Sequence, residues 1–286
     1  MLVMKKNKLL FQLISCFLFS LLGLQIKTLA SNNSIETIVF YRSFIGTIIL
    51  YFLFLFYKKK FVVVRNKNIK FHILRSLFGV LAMYFGYKAL TFIPLSLAST
   101  IGFTKVFFAS LMSWFILKER LEIKNFFLIF LGFSGVYFIT LPSTISEIDG
   151  IILSLLSSIF VSGGIITVSY LTKKETTMNI LIFHSAISSI LTFLIFFDGI
   201  SFHIQESFFS LFLLTITALT AQYFNVESYR DEKASSIILI GYTRIIFSTI
   251  LGFLFLEEKI SFLALFGILV IILTTFFVQK PQVKKG

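Results

Sequence analysis

Cysteine occurs once in this chain of 286 residues, at Cys16, so no internal disulfide and no thiolate metal cluster can form. Histidine is almost as scarce. His72, His184 and His203 are scattered along the chain, and three such residues make no metal site. Acidic residues number 13 against 26 basic ones, and no carboxylate falls at the centre of a long apolar run. That excludes a carboxylate proton relay at mid-membrane depth and a carboxylate site for cationic drugs. There is no Gly-rich phosphate loop and no nucleophile–base signature. No catalytic residue, cofactor or metal ligand is therefore assigned, and an enzyme is not the expected class.

What is abundant is apolar surface. Hydrophobic residues make up 57% of the chain, charged residues only 14%, and mean hydropathy is +0.95. The expected solvent is the bilayer. About twenty apolar residues cross the hydrocarbon layer as a helix. Ten segments meet that need, at 9–30, 36–56, 71–91, 96–117, 123–141, 149–171, 178–197, 208–229, 235–256 and 262–278. The short connections leave no room for a soluble domain, so one all-α membrane domain over 1–286 is expected. The opening stretch, from Lys5 and Lys6 to Thr28-Leu29-Ala30, imitates a secretory signal. Its length favours a retained first span.

The net charge of +13 would suggest nucleic acid in a soluble protein. Here Lys and Arg alternate between connections: Lys58 to Lys70, Lys118 to Lys124, Lys173 and Lys174, Arg230 and Lys233, then the tail. The other connections hold almost none, Lys259 excepted. By the positive-inside rule both termini are cytoplasmic, and no nucleic-acid partner is implied.

The chain is internally duplicated. Ile101-Gly102-Phe103-Thr104-Lys105-Val106-Phe107-Phe108 matches Ile240-Gly241-Tyr242-Thr243-Arg244-Ile245-Ile246-Phe247. The same register pairs Ala82 with Ala221, Tyr84 with Tyr223, Lys88 with Glu227 and Glu119 with Glu258. Tyr41-Arg42-Ser43 aligns more weakly with Phe183-His184-Ser185. Two repeats, 9–141 and 149–278, follow, dividing near Leu141-Pro142-Ser143-Thr144. Five spans per repeat is an odd number, so the second copy enters the membrane inverted. Such repeats commonly bind substrate at mid-membrane and alternate access by rocking.

The stretch Phe40-Tyr41-Arg42-Ser43, the run His72-Ile73-Leu74-Arg75-Ser76-Leu77-Phe78-Gly79, and Leu117-Lys118-Glu119-Arg120-Leu121 with its echo Leu256-Glu257-Glu258-Lys259-Ile260 resemble the EamA branch of the drug/metabolite transporter superfamily. The resemblance covers nearly the whole chain. It implies a transporter in a bacterial inner membrane, with a cavity lined by spans 3, 4, 8 and 9. It leaves the substrate open: related sequences carry amino acids, S-adenosylmethionine or riboflavin, or export metabolites. Many relatives have an uncharged residue where this chain has Lys105 and Arg244.

Those two cations lie about ten residues from either end of their spans, or ~15 Å from either surface. A lipid-facing charge there costs at least ~2.5–3.5 kcal/mol, so both are expected to face a common polar cavity. Two roles are open: binding a carboxylate or phosphate, or bonding loose helix carbonyls and water to order the packing. Arg42 is a further candidate for the ligand or for gating. Arg75, near its helix end, reads as a side chain that reaches the headgroups. Tyr84, Gln222, Tyr223 and Asn225 could orient a zwitterion or stack on a planar ring. Two readings are open for Lys88 and Glu227: gate pairs, Lys88 with Glu36 on the external side and Glu227 with Arg75 on the cytosolic side, or interfacial charges held in place by water.

The expected function is alternating-access transport of a small anionic or zwitterionic metabolite. The alternatives are export of amphiphilic or toxic compounds and, from another class, a membrane-embedded enzyme acting on lipid-linked substrates. Small-molecule substrate and lipid are the expected partners, and a homodimer is open.

Overall fold

The computed structural model describes residues 6–56, 66–105, 107–109, 111–112, 127, 131, 145–230, 241, 243–258, 262, 265, 266, 269, 270 and 273. Among these every regular element is helical. The helices are α1 (Lys6–Leu29), α2 (Ile35–Phe56), α3 (Asn66–Ala89), α4 (Leu95–Ile101), α5 (Ile145–Leu171), α6 (Thr177–Phe196), α7 (Phe208–Tyr229) and α8 (Thr243–Leu256). Six of the described segments, Lys8–Leu29, Ile35–Phe56, Asn68–Ala89, Glu147–Leu171, Thr177–Gly199 and Phe208–Tyr229, are long and apolar enough to cross a membrane. Phe52, Phe56, Leu194, Phe209, Phe253 and Phe255 are all exposed. An apolar surface of that extent belongs against lipid, and this is a multi-pass membrane protein. The expected spans 123–141 and 262–278, the repeat boundary, Glu119 and the basic clusters at 58–65 and 118–124 lie wholly or mostly outside the described residues.

Helix packing follows a pattern of exchange. α1 packs against α7 and α8, while α5 packs against α3 and α4; α2 packs against α6. Two apolar clusters hold the ends of the bundle. One joins Leu22 and Ile26 of α1, Ile38 of α2, Leu90 and Leu214. The other joins Leu50, Leu171, Ile180 and Val226 at the opposite end.

Between these clusters the contacts are hydroxyl to carbonyl. Ser15 of α1 donates to the Ala221 carbonyl of α7 at 3.0 Å, and Ser157 of α5 donates to the Ala82 carbonyl of α3 at 2.8 Å. Ser20 lies 3.1 Å from the Arg244 carbonyl, and Ser162 lies 2.7 Å from the Lys105 carbonyl. Each of the last two hydroxyls is shared with the carbonyl four residues back in its own helix, Cys16 or Ser158. Small residues on a helix face permit such backbone approach. Gly163 shows how close it is: a Cβ there would come within 2.6 Å of the Phe78 ring.

Within the expected span 96–117 the described residues are helical on both sides of a local tightening. After α4 the chain tightens into a 3-10 turn, Gly102–Thr104, with the Lys105 N–H bonded to the Gly102 carbonyl. Thr104 Oγ1 donates to the Ile101 carbonyl at 2.7 Å, and Ser158 reaches the same oxygen at 3.3 Å. Hydroxyls that satisfy freed carbonyls make this departure tolerable in an apolar setting. Its consequence is to set the orientation of Lys105.

Replacing Ser162 or Ser20 by Ala is expected to lower stability in detergent by ~0.5–1.5 kcal/mol each. Thermal unfolding checks this, with the exposed Ser31 replaced by Ala as a control that leaves the melting temperature in place.

Candidate functional site

The helices enclose a cavity of about 250 Å³ between the two apolar clusters, near the ~300–1,000 Å³ of small-molecule sites. Its wall includes four cations: Arg42 from α2, Arg75 from α3, Lys105 just after the 3-10 turn, and Arg244 from α8. Among the described lining residues there is no Asp or Glu.

Each cation reaches the wall for a local reason. The Lys105 and Arg244 carbonyls are engaged by Ser162 and Ser20, which fixes the backbone and leaves the side chains to the cavity. Lys105 Nζ sits 4.5 Å from the centre of the Phe103 ring, and the Arg244 guanidinium 5.3 Å from that of Phe19. The Arg42 guanidinium lies 5.7 Å from the Tyr87 ring centre and its Nη1 contacts Met83 Sδ. Arg75 Nη1 lies beside Gly79 and Gly164, where a Cβ would stand 2.8 and 3.8 Å from it. The Nε atoms of Arg75 and Arg244 are buried with no hydrogen-bond partner among the described residues. Ring faces partly compensate a cation, but no described carboxylate neutralises one here.

Not every expected residue converges. Lys105, Arg244, Arg42, Gln222 and Asn225 line the cavity. Tyr223 is 41% exposed on the outer surface. Tyr84 lies outside the lining: its ring stacks on Phe196 at 4.4 Å, and its hydroxyl donates to Glu36 at 3.1 Å while accepting from Lys88 at 3.2 Å. Lys88 and Glu36 thus meet through Tyr84 rather than directly. The expected Glu227–Arg75 pair is corrected outright. Glu227 takes Lys8 at 3.2 Å and Arg230 at 3.3 Å, plus the Thr177 hydroxyl at 2.5 Å, while Arg75 lines the cavity. Arg75 itself points into the cavity instead of toward headgroups.

Gln12, Cys16 and Tyr229, which sequence reasoning passed over as site residues, also line the cavity, as do Tyr87, a phenol on the same helix as Tyr84, and His184. The glycine four residues after Arg75, at Gly79, was the available signal, since it opens room for a long side chain on the same helix face.

One end of the cavity is held by a latch. Glu258 accepts Lys27 Nζ at 2.8 Å and the Leu95 N–H at 2.8 and 3.0 Å through its two oxygens. Lys27 also donates to the Ile93 carbonyl at 3.1 Å. Glu257, at φ 53°, turns the chain out of α8 so that Glu258 can reach back. A non-glycine residue in that region costs of order 1–2 kcal/mol, which the latch contacts offset.

The EamA-like transporter family model matches residues 6–141 and again 148–279. The chain belongs to the EamA-like transporter family. It is similar to the pseudopaline exporter CntI of Pseudomonas aeruginosa strain UCBPP-PA14, 24% identical over 283 residues, covering 98% of each chain. An uncharacterized transporter of Helicobacter pylori strain 26695 is 25% identical, covering 93% of this chain and 92% of that one. A solved crystal structure shares the fold with a TM-score of 0.66 at 15% identity, over 95% of this chain and 96% of that one. Like its family, the protein is a membrane transporter of small molecules and not an enzyme.

Gly102 and Gly241, equivalent in the duplicated sequence, differ in surroundings. No described atom lies within 4 Å of a Cβ built at Gly102, whereas one at Gly241 would press on the Phe103 ring at 3.1 Å. Gly102→Leu is expected to fold with a near-native melting temperature while filling the cavity, and Gly241→Leu to lower it by several degrees. Equal melting temperatures for the two variants would contradict this.

Proposed function

We propose that this EamA-family protein carries a small anionic or zwitterionic organic metabolite, bound between Lys105 and Arg244 with Arg42 alongside. Gln222 and Asn225 orient the molecule. Tyr84 and Tyr223, outside the cavity, are left without a role in binding. The observation that carries the reading is the lining itself: four cations and no described carboxylate. At ~2.5–3.5 kcal/mol for each charge at membrane depth, four would together rival the ~5–15 kcal/mol stability of a whole domain. Water and a bound anion are the partners that make such a cavity tolerable.

The ten-span architecture of two inverted five-helix repeats, 9–141 and 149–278, is part of the same proposal. Hydrogen bonds that recur in exchange support it: Ser15 to Ala221 against Ser157 to Ala82, and Ser20 to Arg244 against Ser162 to Lys105. Both termini face the cytosol of a bacterial inner membrane by the distribution of Lys and Arg. The Lys27–Glu258–Leu95 latch then closes the external side, and access alternates when it parts. A homodimer is compatible with this arrangement. The second reading, export, is favoured by the name of the Pseudomonas relative, a pseudopaline exporter.

A thermal-shift screen of the purified protein tests the substrate class, because a ligand of the folded state raises the melting temperature by mass action. The panel contains amino acids, S-adenosylmethionine, flavins, nucleotides, organic acids and lipophilic cations. Stabilisation by one anionic or zwitterionic class is expected, and its loss in Lys105→Gln/Arg244→Gln. Stabilisation by lipophilic cations alone would sink the proposal.

Cys16 lines the cavity and is the chain's one cysteine, so it reports access. In membranes with the external face exposed, Glu258→Gln is expected to speed Cys16 labelling by a membrane-impermeant maleimide severalfold. An unchanged rate would remove the latch from the gating scheme.

A further inference from the structure

α5 begins beside Phe92 and Ile93, next to the Lys27–Glu258 latch, and its 27 residues carry the chain ~40 Å to the opposite end of the bundle. There the connection to α6 folds over the first turns of α3. Glu175, in that connection, accepts the Asn68 side-chain amide at 2.9 Å on one oxygen, and its other oxygen lies 2.8 Å from His72 Nε2. The His72 and Glu175 side chains are only 1% and 4% exposed. The Phe183 ring of α6 packs 4.8 Å from the imidazole. The second ring nitrogen, His72 Nδ1, is buried with no hydrogen-bond partner among the described residues.

The charges around this pair hold the connection in place and leave the Glu175 carboxylate to His72. Arg230, just after α7, donates to the Thr172 carbonyl at 2.9 Å, to the Glu175 carbonyl at 3.1 Å and to the Thr177 hydroxyl at 2.8 Å. Its carboxylate partner is Glu227, shared with Lys8 of α1. Lys70, Lys173 and Lys174 are exposed, Arg75 and His184 line the cavity, and α2 carries no charged residue beyond Arg42. No Lys or Arg contacts the Glu175 carboxylate among the described residues. The site is also one-sided. Extending the two alignments of the duplicated sequence pairs Asn33 with Glu175, Ser207 with Asn68 and Leu211 with His72. The contact recurs there, Asn33 Nδ2 donating to Ser207 Oγ at 3.0 Å, but none of those three positions holds a titratable group.

We infer that His72 and Glu175 form a proton-binding site that locks this end of the transporter. It rests on the alternating access of the proposed function and not on the charge of the substrate. With His72 neutral and Glu175 ionised, the buried pair carries a negative charge that no direct contact cancels, which is costly. One proton cancels it, and that proton belongs to the pair rather than to either residue. With the proton bound, the connection stays seated on α3. On its loss Glu175 leaves for water and the end parts. The closed arrangement thus holds a proton that the parted one releases, so closure is favoured at low pH and lost as pH rises. Imidazole is the side chain suited to such a change between about pH 5 and 8.

The test reads Cys16, which lines the cavity, in the purified full chain in detergent. Its labelling rate with a bulky maleimide is divided by its rate with N-ethylmaleimide, which cancels ionisation of the thiol and leaves the width of access. In the wild type this ratio is expected to rise severalfold between about pH 5 and 8. Glu175→Gln needs no added proton for neutrality and should hold the ratio at its low-pH value throughout. His72→Gln strands the carboxylate and should move the rise to lower pH. A purely structural contact would give both substitutions the same effect at every pH. A wild-type ratio that is flat or falls with pH, or two variants that behave alike, overturns the proton site and leaves the anion-binding cavity standing. The wild-type series needs no substitution, so failure of a variant to fold leaves the inference decidable.

Discussion

The helix carbonyls beside the buried cations are already taken. Ser162 occupies the Lys105 carbonyl and Ser20 the Arg244 carbonyl, so these backbones are tied to neighbouring helices and their side chains are left to the cavity. The 3-10 turn at Gly102–Thr104 relies on other hydroxyls: Thr104 and Ser158 serve the Ile101 carbonyl, which left open in an apolar setting would cost several kcal/mol. Ser162 and Ser20 tie the backbone at Lys105 and Arg244 while both side chains line the cavity.

The same contacts connect packing to motion. Ser20 continues through Ser248 to Ser99 by hydroxyl contacts of 3.0 and 2.7 Å, which links α1, α8 and α4 around one wall of the cavity. Charged contacts sit toward the ends: Lys27–Glu258 and Lys8–Glu227 are partly open to water, while His72–Glu175, at 2.8 Å, is buried. Partly exposed ion pairs are the weaker class, and the interior hydroxyl bonds are uncharged.

Much of the fold was legible because its signals are long. Apolar runs of twenty residues do not depend on side-chain direction, and six of the described segments are long and apolar enough to span. That Lys105 and Arg244 line one cavity was readable because charges in the middle of apolar runs have few other solutions. What was hidden depends on rotation about a helix axis. Arg75 and Tyr223 were misjudged because in these helices nearly every face is apolar, so hydropathy does not tell a lipid face from a cavity face. The shift from α-helix to 3-10 turn at Gly102 was hidden as well, because one of the hydroxyls that serve its carbonyl, Ser158, is distant in sequence. Glu227 was matched to the wrong cation since Lys8 comes from the opposite end of the chain.

Bromide soaked into crystals of the protein would test the cationic cavity most directly, because anomalous scattering locates the anion whatever the natural substrate is. Anomalous peaks beside Lys105 and Arg244 and beside Arg42 and Arg75 are the predicted result. A cavity free of bromide, with peaks confined to surface lysines, would contradict the claim that these four side chains are held ready for an anion.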